Sequence, residues 1–310
     1  MELIRGLHNL RQKHRGCVAT IGNFDSVHLG HVCVLEQVKS KALELGLPTT
    51  VIIFEPQPRE FFGGESIPSR LTRFGEKVRL LQAQGIDRVL CLTFNAQLQQ
   101  MTAAEFVQNL LLKGLDVKYF VVGDDFRFGC DRSGDYQMLE AVGQQYGFSV
   151  ANTDTFTVAG ERVSSTRVRK VLEQNDFDLA GRLLGRRYRI AGRVMHGQKL
   201  ARQLGVPTAN IRMHRFIAPL RGVYAVTVYR GDQLLGQGVC NIGMRPTVNG
   251  TQPVLEVHLL DFDEDLYGQL LSVEFETFLR KEQKFDGLEQ LREQIFNDIE
   301  VAQTYFAQSK

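Results

Sequence analysis

Apolar residues follow one pattern up to about Leu184 and a different pattern after it. In the first part, short apolar runs typical of buried strands alternate with segments whose apolar residues recur at helical spacing. The strand-like runs cover residues 17–21, 48–54, 88–92 and 119–122, and the helical segments cover residues 32–45, 73–84, 103–112 and 135–146. Because strands that alternate with helices form parallel βαβ units, residues 1–185 are predicted to be an α/β domain with an open, parallel sheet.

The second part has strand-like runs without intervening helices. These runs cover residues 222–229, 233–242, 254–260 and 270–278, and Gly-Asp and Asn-Gly pairs typical of hairpin turns lie between them. A final segment repeats apolar residues on one helical stripe, with Asp286 in position to cap it. Residues 186–310 are therefore predicted to be a mainly antiparallel β-barrel closed by a C-terminal helix.

Length and charge add two expectations. A chain of 310 residues exceeds the usual size of one compact core, which agrees with two domains. The formal net charge of +2 gives no general attraction for nucleic acid or membranes. The basic cluster at residues 186–193 lacks the repeated aromatic residues of a nucleic-acid platform, so we interpret it as a solvated linker and first strand. We expect neither nucleic acid nor a membrane as a partner.

The cysteines and the N-terminus indicate the compartment. The five cysteines are scattered and never form a CxxC pair, which is typical of reduced thiols. The first residues contain no apolar signal segment, and no later apolar run is long enough to span a bilayer. We expect a cytoplasmic protein that is a monomer or a weak oligomer.

The run Gly22–His31 (GNFDSVHLGH) joins the first predicted strand to the first helix. A helix that begins near His28 directs unpaired N–H groups and the positive end of its dipole into this turn, and these favour an anion. Gly30 would allow a phosphate to approach, and His28 and His31 could donate to the same phosphate. A capped helix with surface histidines and a two-histidine metal site remain alternatives, although no acidic third ligand stands at the spacing of HExxH. Asp25 either completes the turn or orients the ligand or metal.

Three further segments follow predicted strands or begin a helix, so they should gather at the carboxyl edge of the sheet. Residues 54–62 (FEPQPREFF) and 123–129 (GDDFRFG) offer stiff or aromatic loops to which a planar ring could bind. Residues 163–169 (VSSTRVR) place hydroxyls and two arginines at a helix start. Ser164 or Ser165 is an ordinary N-cap in one interpretation, and Arg169 binds a second phosphate in the other.

The second part carries a separate set of candidate residues. The chain has no GK dipeptide, so no Walker A loop is present, and ATP phosphates there would need the loop at residues 196–200 with Thr208 and Asn210. On spacing alone, residues 207–210 (PTAN) are simply a turn. In the run 255–262, alternation places Glu256 and His258 on one face of a strand, which is either the solvated face or a functional one.

These motifs resemble those of one family. GNFDSVHLGH is similar to the HxGH signature of nucleotidylyltransferases, in the form found in the bacterial bifunctional riboflavin kinase/FAD synthetases. PTAN, NIGMRPT and LEVHLLDF resemble the riboflavin kinase motifs of the same family, so the resemblance covers nearly the whole chain. Two residues depart from the family pattern: Ser26 stands where glycine is common, and Ala201 stands where a Gly-Arg pair is frequent.

The resemblance implies a Rossmann-like FMN adenylyltransferase domain followed by a riboflavin kinase domain. The kinase would phosphorylate riboflavin with ATP to give FMN, with Glu256 as the base and Mg²⁺ as the cofactor. The first domain would join FMN to AMP from ATP to give FAD and pyrophosphate, with His28 and His31 as its catalytic residues. A different adenylyltransferase and a non-enzymatic flavin- or RNA-binding regulator are the competing hypotheses.

The resemblance also implies ligand contacts. In the adenylyltransferase, the residues expected to contact ATP are Gly22, Asn23, Phe24, Asp25, His28, Gly30, His31, Ser164, Ser165, Thr166 and Arg169. The residues expected to contact the flavin are Phe54, Pro56, Pro58, Phe62, Asp124, Asp125 and Phe128. In the kinase, the residues expected to contact ATP are Gly192, His196, Gly197, Lys199, Pro207, Thr208 and Asn210. The residues expected to contact the flavin are Asn241, Arg245 and Glu256, and those expected to hold Mg²⁺ are Thr208 and Asn210.

Overall fold

The computed structural model describes residues 1–63, 67–123, 125–153, 155–196, 205–213, 217–247 and 250–308, without the side chains of 245–247 and 250–252. Its contacts divide the chain into two compact units. One contains Met1–Pro68 and Phe74–Ser164, and the other contains Ser69–Arg73 and Ser165–Lys310. The division therefore falls before the boundary at residue 185 that the sequence pattern predicts.

The first unit is built on a six-stranded, fully parallel sheet, with strand order β1-β4-β3-β2-β5-β6. The strands are β1 (Glu2–Arg5), β2 (Cys17–Ile21), β3 (Thr49–Phe54), β4 (Arg88–Leu92), β5 (Val117–Val122) and β6 (Ser149–Asn152). The α-helices are α1 (Leu29–Leu45), α2 (Pro58–Phe62), α3 (Phe74–Ala83), α4 (Ala96–Gln99), α5 (Ala103–Phe106) and α6 (Tyr136–Tyr146), and a π-helix at Val107–Gly114 continues α5. The prediction of an α/β domain is confirmed.

The strand order explains where this unit can hold a ligand. The chain builds the sheet outward from β2 in both directions, toward β3 and β4 on one side and toward β5 and β6 on the other. In such sheets the crevice lies beyond the carboxyl ends of the strands at this switch point. The turn that follows Ile21 at the end of β2 and the loop that follows Val122 at the end of β5 therefore meet at the crevice.

Apolar residues on both faces of the sheet form the core. All five residues of β2 are buried, as expected of a central parallel strand with helices on both sides. The edge strand β1 pairs with β4, and the sequence pattern did not predict it because its four residues give too short a signal. A two-stranded ribbon, β7 (Thr157–Val158) and β8 (Glu161–Arg162), follows the sheet.

The second unit contains a closed, six-stranded antiparallel barrel with strand order β10-β13-β12-β11-β14-β9. Its strands are β9 (Arg189–Met195), β10 (Ala209–Arg212), β11 (Gly222–Arg230), β12 (Gln233–Thr247), β13 (Gly250–Leu259) and β14 (Leu270–Arg280). The predicted barrel is confirmed. The terminal helix α9 (Leu288–Gln308) begins two residues beyond Asp286, whose backbone N–H instead donates to Gln290 Oε1 at 3.3 Å.

Two helices, α7 (Ser165–Glu173) and α8 (Phe177–Leu184), pack against this barrel. The Tyr224 hydroxyl lies 3.1 Å from Asn175 Oδ1 at the turn between the helices. The Phe177 ring centroid lies 5.9 Å from that of Tyr224 and 6.0 Å from that of Phe275. These contacts explain why α7 and α8 group with the barrel rather than with the preceding sheet.

The basic cluster at residues 186–193 lies largely on the barrel wall rather than in a linker. Arg187 pairs with Glu276 at 2.8 Å, and Arg189 pairs with Glu274 at 2.5 Å. Local carboxylates therefore neutralise part of the cluster's charge. Among the residues that the structure describes, no helix has both the length and the apolar character needed to cross a bilayer.

Candidate functional site

The turn between β2 and α1 has an unusual backbone. Three of its non-glycine residues adopt positive φ, with 46° at Phe24, 76° at Ser26 and 44° at Val27. Residues other than glycine rarely adopt a positive φ, and they keep it only where the surrounding structure holds them in place. All three side chains are buried, as is Asp25, so packing holds the turn in this form. The departure from glycine at Ser26 therefore falls on a position whose φ favours glycine.

The two histidines of the turn lie in contact. His28 is the N-cap of α1, and its Nδ1 accepts a hydrogen bond from the backbone N–H of His31 at 3.2 Å. Because Nδ1 accepts, the ring proton of neutral His28 lies on Nε2. The two imidazole rings stack with centroids 3.7 Å apart, and the Phe24 ring lies 4.8 Å from the ring of His31. His28 therefore both caps the helix and holds its ring against that of His31.

Gly30 and Gly22 have close neighbours inside the turn. A Cβ at Gly30 would lie 3.1 Å from the carbonyl oxygen of Val163 and 3.2 Å from the His28 ring. A Cβ at Gly22 would lie 3.3 Å from the Phe24 ring. Gly30 is predicted to allow a phosphate to approach, and the structure adds a second role, which is close packing against Val163 and His28. The Val163 contact also brings the neighbouring Ser164 to the start of α1.

The rest of the VSSTRVR segment forms the start of α7. Ser165 is the first residue of this helix, and Thr166 and Arg169 follow within it. The Arg169 side chain donates from Nε to the backbone carbonyl of Ser69 at 2.5 Å. This bond gives Arg169 a defined position within the second unit.

Aromatic rings gather where β3 and β4 end. The Phe54 and Phe94 rings lie 5.8 Å apart, and Phe61 and Phe62 lie 5.4 and 5.8 Å from Phe94. Phe62 is 61% exposed, so its ring is available to a ligand, and Pro56 and Pro58 are partly buried in the same loop. Sequence reasoning missed Phe94, although it lies just beyond the end of β4, as the loop that begins after Phe54 lies beyond β3.

Phe128 has a different environment from Phe62. It is only 6% exposed and packs in the core, with its ring 5.0 Å from Phe106 and 5.4 Å from Phe126. The structure therefore gives Phe128 a packing role and leaves little of its ring surface open to a flavin. Asp125 is exposed and lies 4.0 Å from Arg162, whereas Asp124 is outside the described residues.

In the barrel, strand register aligns three polar side chains. Glu256 on β13 pairs directly with Asn210 on β10 and with Asn241 on β12. Directly opposed residues have neighbouring Cβ atoms, so these three side chains form one row across the barrel wall. The Oδ1 atoms of Asn210 and Asn241 are buried and have no hydrogen-bond partner among the described residues. Such atoms are suited to a ligand, because a buried polar atom that stays unpaired is costly.

Two cavities lie on the barrel, and the row borders both through Asn210. The first, of about 280 Å³, has a mixed lining that includes Glu256, Asn241 and His258 together with apolar residues. Its apolar lining includes Val223, Val239, Phe285, Leu291, Ile295 and Ile299. The second cavity, of about 610 Å³, is lined by the acidic loop 263–265 with Phe262 and Tyr267. Thr208 and Asn210 line both cavities.

An ion pair attaches α9 over the first cavity. Arg280 donates from Nε and Nη2 to the two carboxylate oxygens of Asp298, each at 2.8 Å, and Gln294 donates to Asp298 Oδ1 at 2.9 Å. Glu282, which also lines the cavity, accepts from Arg221 Nε at 2.7 Å. Sequence reasoning missed these residues, because nothing in the local pattern indicates which distant partners they contact.

Several predicted kinase residues have other surroundings. A Cβ at Gly192 would collide with the Ile211 side chain and the Arg212 carbonyl, so glycine allows β9 to approach β10. The His196 ring lies 4.0 Å from the ring of Tyr267, which lines the second cavity, as does Pro207. The structure gives no account of Gly197, Lys199 or Ala201, which lie outside the described residues, nor of the Arg245 side chain.

Comparisons with known proteins match the two parts of the chain to two enzyme families. The family model for FAD synthetase matches residues 10–167, and the family model for riboflavin kinase matches residues 184–306. A bifunctional riboflavin kinase/FMN adenylyltransferase from Pseudomonas fluorescens is 54% identical over 310 residues, which cover 100% of this chain and 99% of that protein. The chain belongs to this family.

Two further relatives support the assignment. The bifunctional riboflavin kinase/FMN adenylyltransferase of Escherichia coli strain K12 is 46% identical over 311 residues, covering 100% of this chain and 99% of that protein. The crystal structure of a macrolide-efflux protein from Streptococcus pneumoniae aligns with a TM-score of 0.80 and 28% identity, covering 98% of this chain and 99% of that one. The prediction of a bifunctional riboflavin kinase and FMN adenylyltransferase is confirmed, and both activities use ATP, ordinarily with a divalent metal.

Proposed function

We propose that the two barrel cavities form the riboflavin kinase site, with the flavin ring in the first and ATP in the second. One observation carries this assignment: the row Asn210, Glu256 and Asn241 lines the first cavity, and its member Asn210 also lines the second. The apolar wall of the first cavity suits a planar ring, and the shared residues Thr208 and Asn210 lie where the γ-phosphate would face the ribityl chain. The ribityl 5′-hydroxyl would attack that phosphate.

Glu256 is proposed as the general base of this transfer. The nucleophile is a neutral alcohol, so removal of its proton assists the attack. Glu256 is directly opposite Asn210 on one neighbouring strand and Asn241 on the other. Their amides would orient the hydroxyl or the phosphate beside the carboxylate. Phosphoryl transfer depends mainly on such alignment and on neutralising charge.

Mg²⁺ is proposed as the metal of the kinase, held by Thr208 and Asn210. The donors in this region are hydroxyl, amide and carboxylate oxygens, which match the preference of Mg²⁺. The buried Oδ1 of Asn210 has no partner among the described residues, as expected of an atom that binds a ligand. When bound, Mg²⁺ neutralises charge on the ATP phosphates. Thr208 and Asn210 would fix the place where that neutralisation occurs.

The turn between β2 and α1 is proposed as the catalytic part of the adenylyltransferase site. The attacking group is the phosphate of FMN, which is already an anion, so no base is needed. The bond to the α-phosphorus of ATP forms as the bond to pyrophosphate breaks. His28, His31 and the N-terminus of α1 would supply donors to the charge that develops. The resemblance adds Ser165 and Arg169 as contacts with ATP.

The aromatic cluster at the ends of β3 and β4 is proposed to bind the FMN ring in the same domain. Phe62 offers an exposed face, and its ring contacts that of Phe94, which in turn contacts Phe54. Asp125 and the loop that follows β5 would lie on the other side of the crevice, and the resemblance adds Asp124 as a further flavin contact. The domain boundary at residue 185 and a cytoplasmic location complete the proposal, and five cysteines without disulfides suit a reducing compartment.

The test is to incubate the purified protein with riboflavin, ATP and Mg²⁺ and to separate the flavins chromatographically over time. We expect FMN to form first and FAD to follow, with one pyrophosphate released per FAD. FMN without FAD would contradict the adenylyltransferase assignment. Conversion of added FMN but not of riboflavin would contradict the kinase assignment.

A further inference from the structure

We propose that His258 is a positioning residue of the kinase, which holds the turn at Pro207 and Thr208 in the conformation that the site needs. The inference rests on the proposed kinase site. His258 Nδ1 lies 2.9 Å from the carbonyl oxygen of Pro207. A carbonyl oxygen can only accept, so Nδ1 carries the proton and donates it to this bond.

The hydrogen bond between His258 and Pro207 lies just beyond the end of the ladder that pairs β10 with β13. Strand β10 pairs with β13 through Ala209, Asn210 and Ile211, and the described ladder does not extend to Pro207 or Thr208. Continuing the register by one residue places Thr208 opposite His258. Backbone beyond the end of a ladder is free to fray unless another group holds it. The imidazole of His258 supplies that contact for the Pro207 carbonyl.

Strand β13 is tightly packed against β12 at His258. The backbone carbonyl of His258 lies so close to Gly238 on β12 that a Cβ there would collide with it. His258 and Glu256 are two residues apart on β13, so they share a face, and both line the first cavity. A single strand therefore carries the proposed base and, through one hydrogen bond, fixes the residue before Thr208.

Loss of this bond would move Thr208 relative to Glu256 and Asn210, which the ladder holds together. Small displacements of aligned groups in an active site reduce rates by up to roughly 10²-fold. We expect kcat/KM for ATP in the kinase reaction to fall by about 10-fold to 10²-fold, with the larger share in kcat. The adenylyltransferase reaction of the same chain, FMN to FAD, should keep its rate and so reports on folding.

The test compares His258→Leu, His258→Asn and His258→Gln. Leucine has no donor, the asparagine amide nitrogen lies near the position of Nδ1, and the glutamine nitrogen lies near that of Nε2. We expect the asparagine variant to stay within about 3-fold of the unaltered protein, since one neutral hydrogen bond is retained. The leucine and glutamine variants should lose activity, and the asparagine variant should keep the pH profile of the unaltered kinase.

Equal activity in all three variants would overturn the proposal, as would an asparagine variant as impaired as the leucine one. Amide hydrogen exchange of a peptide that covers residues 205–211 gives a second readout that does not depend on activity. Exchange should quicken in the leucine and glutamine variants and remain slow in the asparagine variant. If the unaltered protein has no kinase activity, the proposed function fails, whereas unchanged exchange in the leucine variant contradicts the role of His258 alone.

Discussion

The two proposed sites are built by different means. In the first unit, the turn between β2 and α1 depends on backbone conformation, with three non-glycine residues at positive φ and a histidine that caps a helix. In the barrel, the row Asn210, Glu256 and Asn241 lies on extended strands, and none of the three residues has positive φ. One site is a folded turn, and the other is a row of side chains on a ladder.

This difference indicates how each site should respond to mutation. A side chain on a ladder can be replaced without moving its neighbours, because backbone hydrogen bonds hold the strands. In the turn, His28 serves the helix cap and the ring stack at once, so one replacement changes several features. Variants of the barrel row should therefore act on chemistry alone, whereas variants of the turn should combine chemistry with local structure.

Glu256→Gln should produce the largest effect. Loss of a general base usually costs about 10²-fold to 10⁴-fold in rate, and glutamine keeps the shape of the side chain. We expect FMN formation from riboflavin to slow by that amount, while conversion of FMN to FAD in the same preparation stays normal. Initial rates measured with each flavin separately provide the check. A kinase rate like that of the unaltered protein would remove Glu256 from the mechanism.

Replacement of His28 should come next. His28→Ala removes both the ring donor and the N-cap, and the loss of one oriented donor costs roughly 10²-fold to 10³-fold in kcat. His28→Asn restores a side-chain acceptor for the His31 N–H, since asparagine is a favoured N-cap. We therefore expect both variants to lose FAD formation and only the alanine variant to lose thermal stability. If asparagine restored FAD formation as well, the cap rather than the imidazole would be the important feature.

The smallest effect should come from Ser26, whose φ is 76°. Left-handed backbone costs a residue with a Cβ about 1–2 kcal/mol relative to glycine. The free energy of unfolding of the Ser26→Gly variant should therefore be about 1–2 kcal/mol higher than that of the Ser26→Ala variant. Denaturant unfolding of both variants, followed by a probe in the first unit, measures the difference. Equal midpoints would show that the turn relaxes to negative φ in the alanine variant.

The fold class and most candidate residues of the barrel row could be predicted from the sequence. Alternation of apolar residues is a local signal, so it indicates strands, helices and which side chains share a strand face. It does not indicate which strands are neighbours. The alignment of Glu256 between Asn210 and Asn241 arises from pairing between distant segments, and so does the ion pair of Arg280 with Asp298.

Motifs also combine residues that bind with residues that pack. Phe128 belongs to an aromatic loop, but its ring lies in the core beside Phe106. Gly192 belongs to a glycine-bearing strand, but its missing Cβ allows two strands to approach. The type of residue and its spacing are the same in either case. Only the surroundings in three dimensions separate the two roles.

The row across β10, β13 and β12 also constrains how the chain can change length during evolution. Side chains alternate between the two faces of a strand, so inserting one residue in β13 before Glu256 would either turn the carboxylate to the opposite face or require a bulge. Substitutions on the other face of β13 leave the row intact. Leu255 and Val257 on that face are buried, so descendants of this chain can exchange them for apolar residues of similar volume while keeping the number of residues in β13 before Glu256.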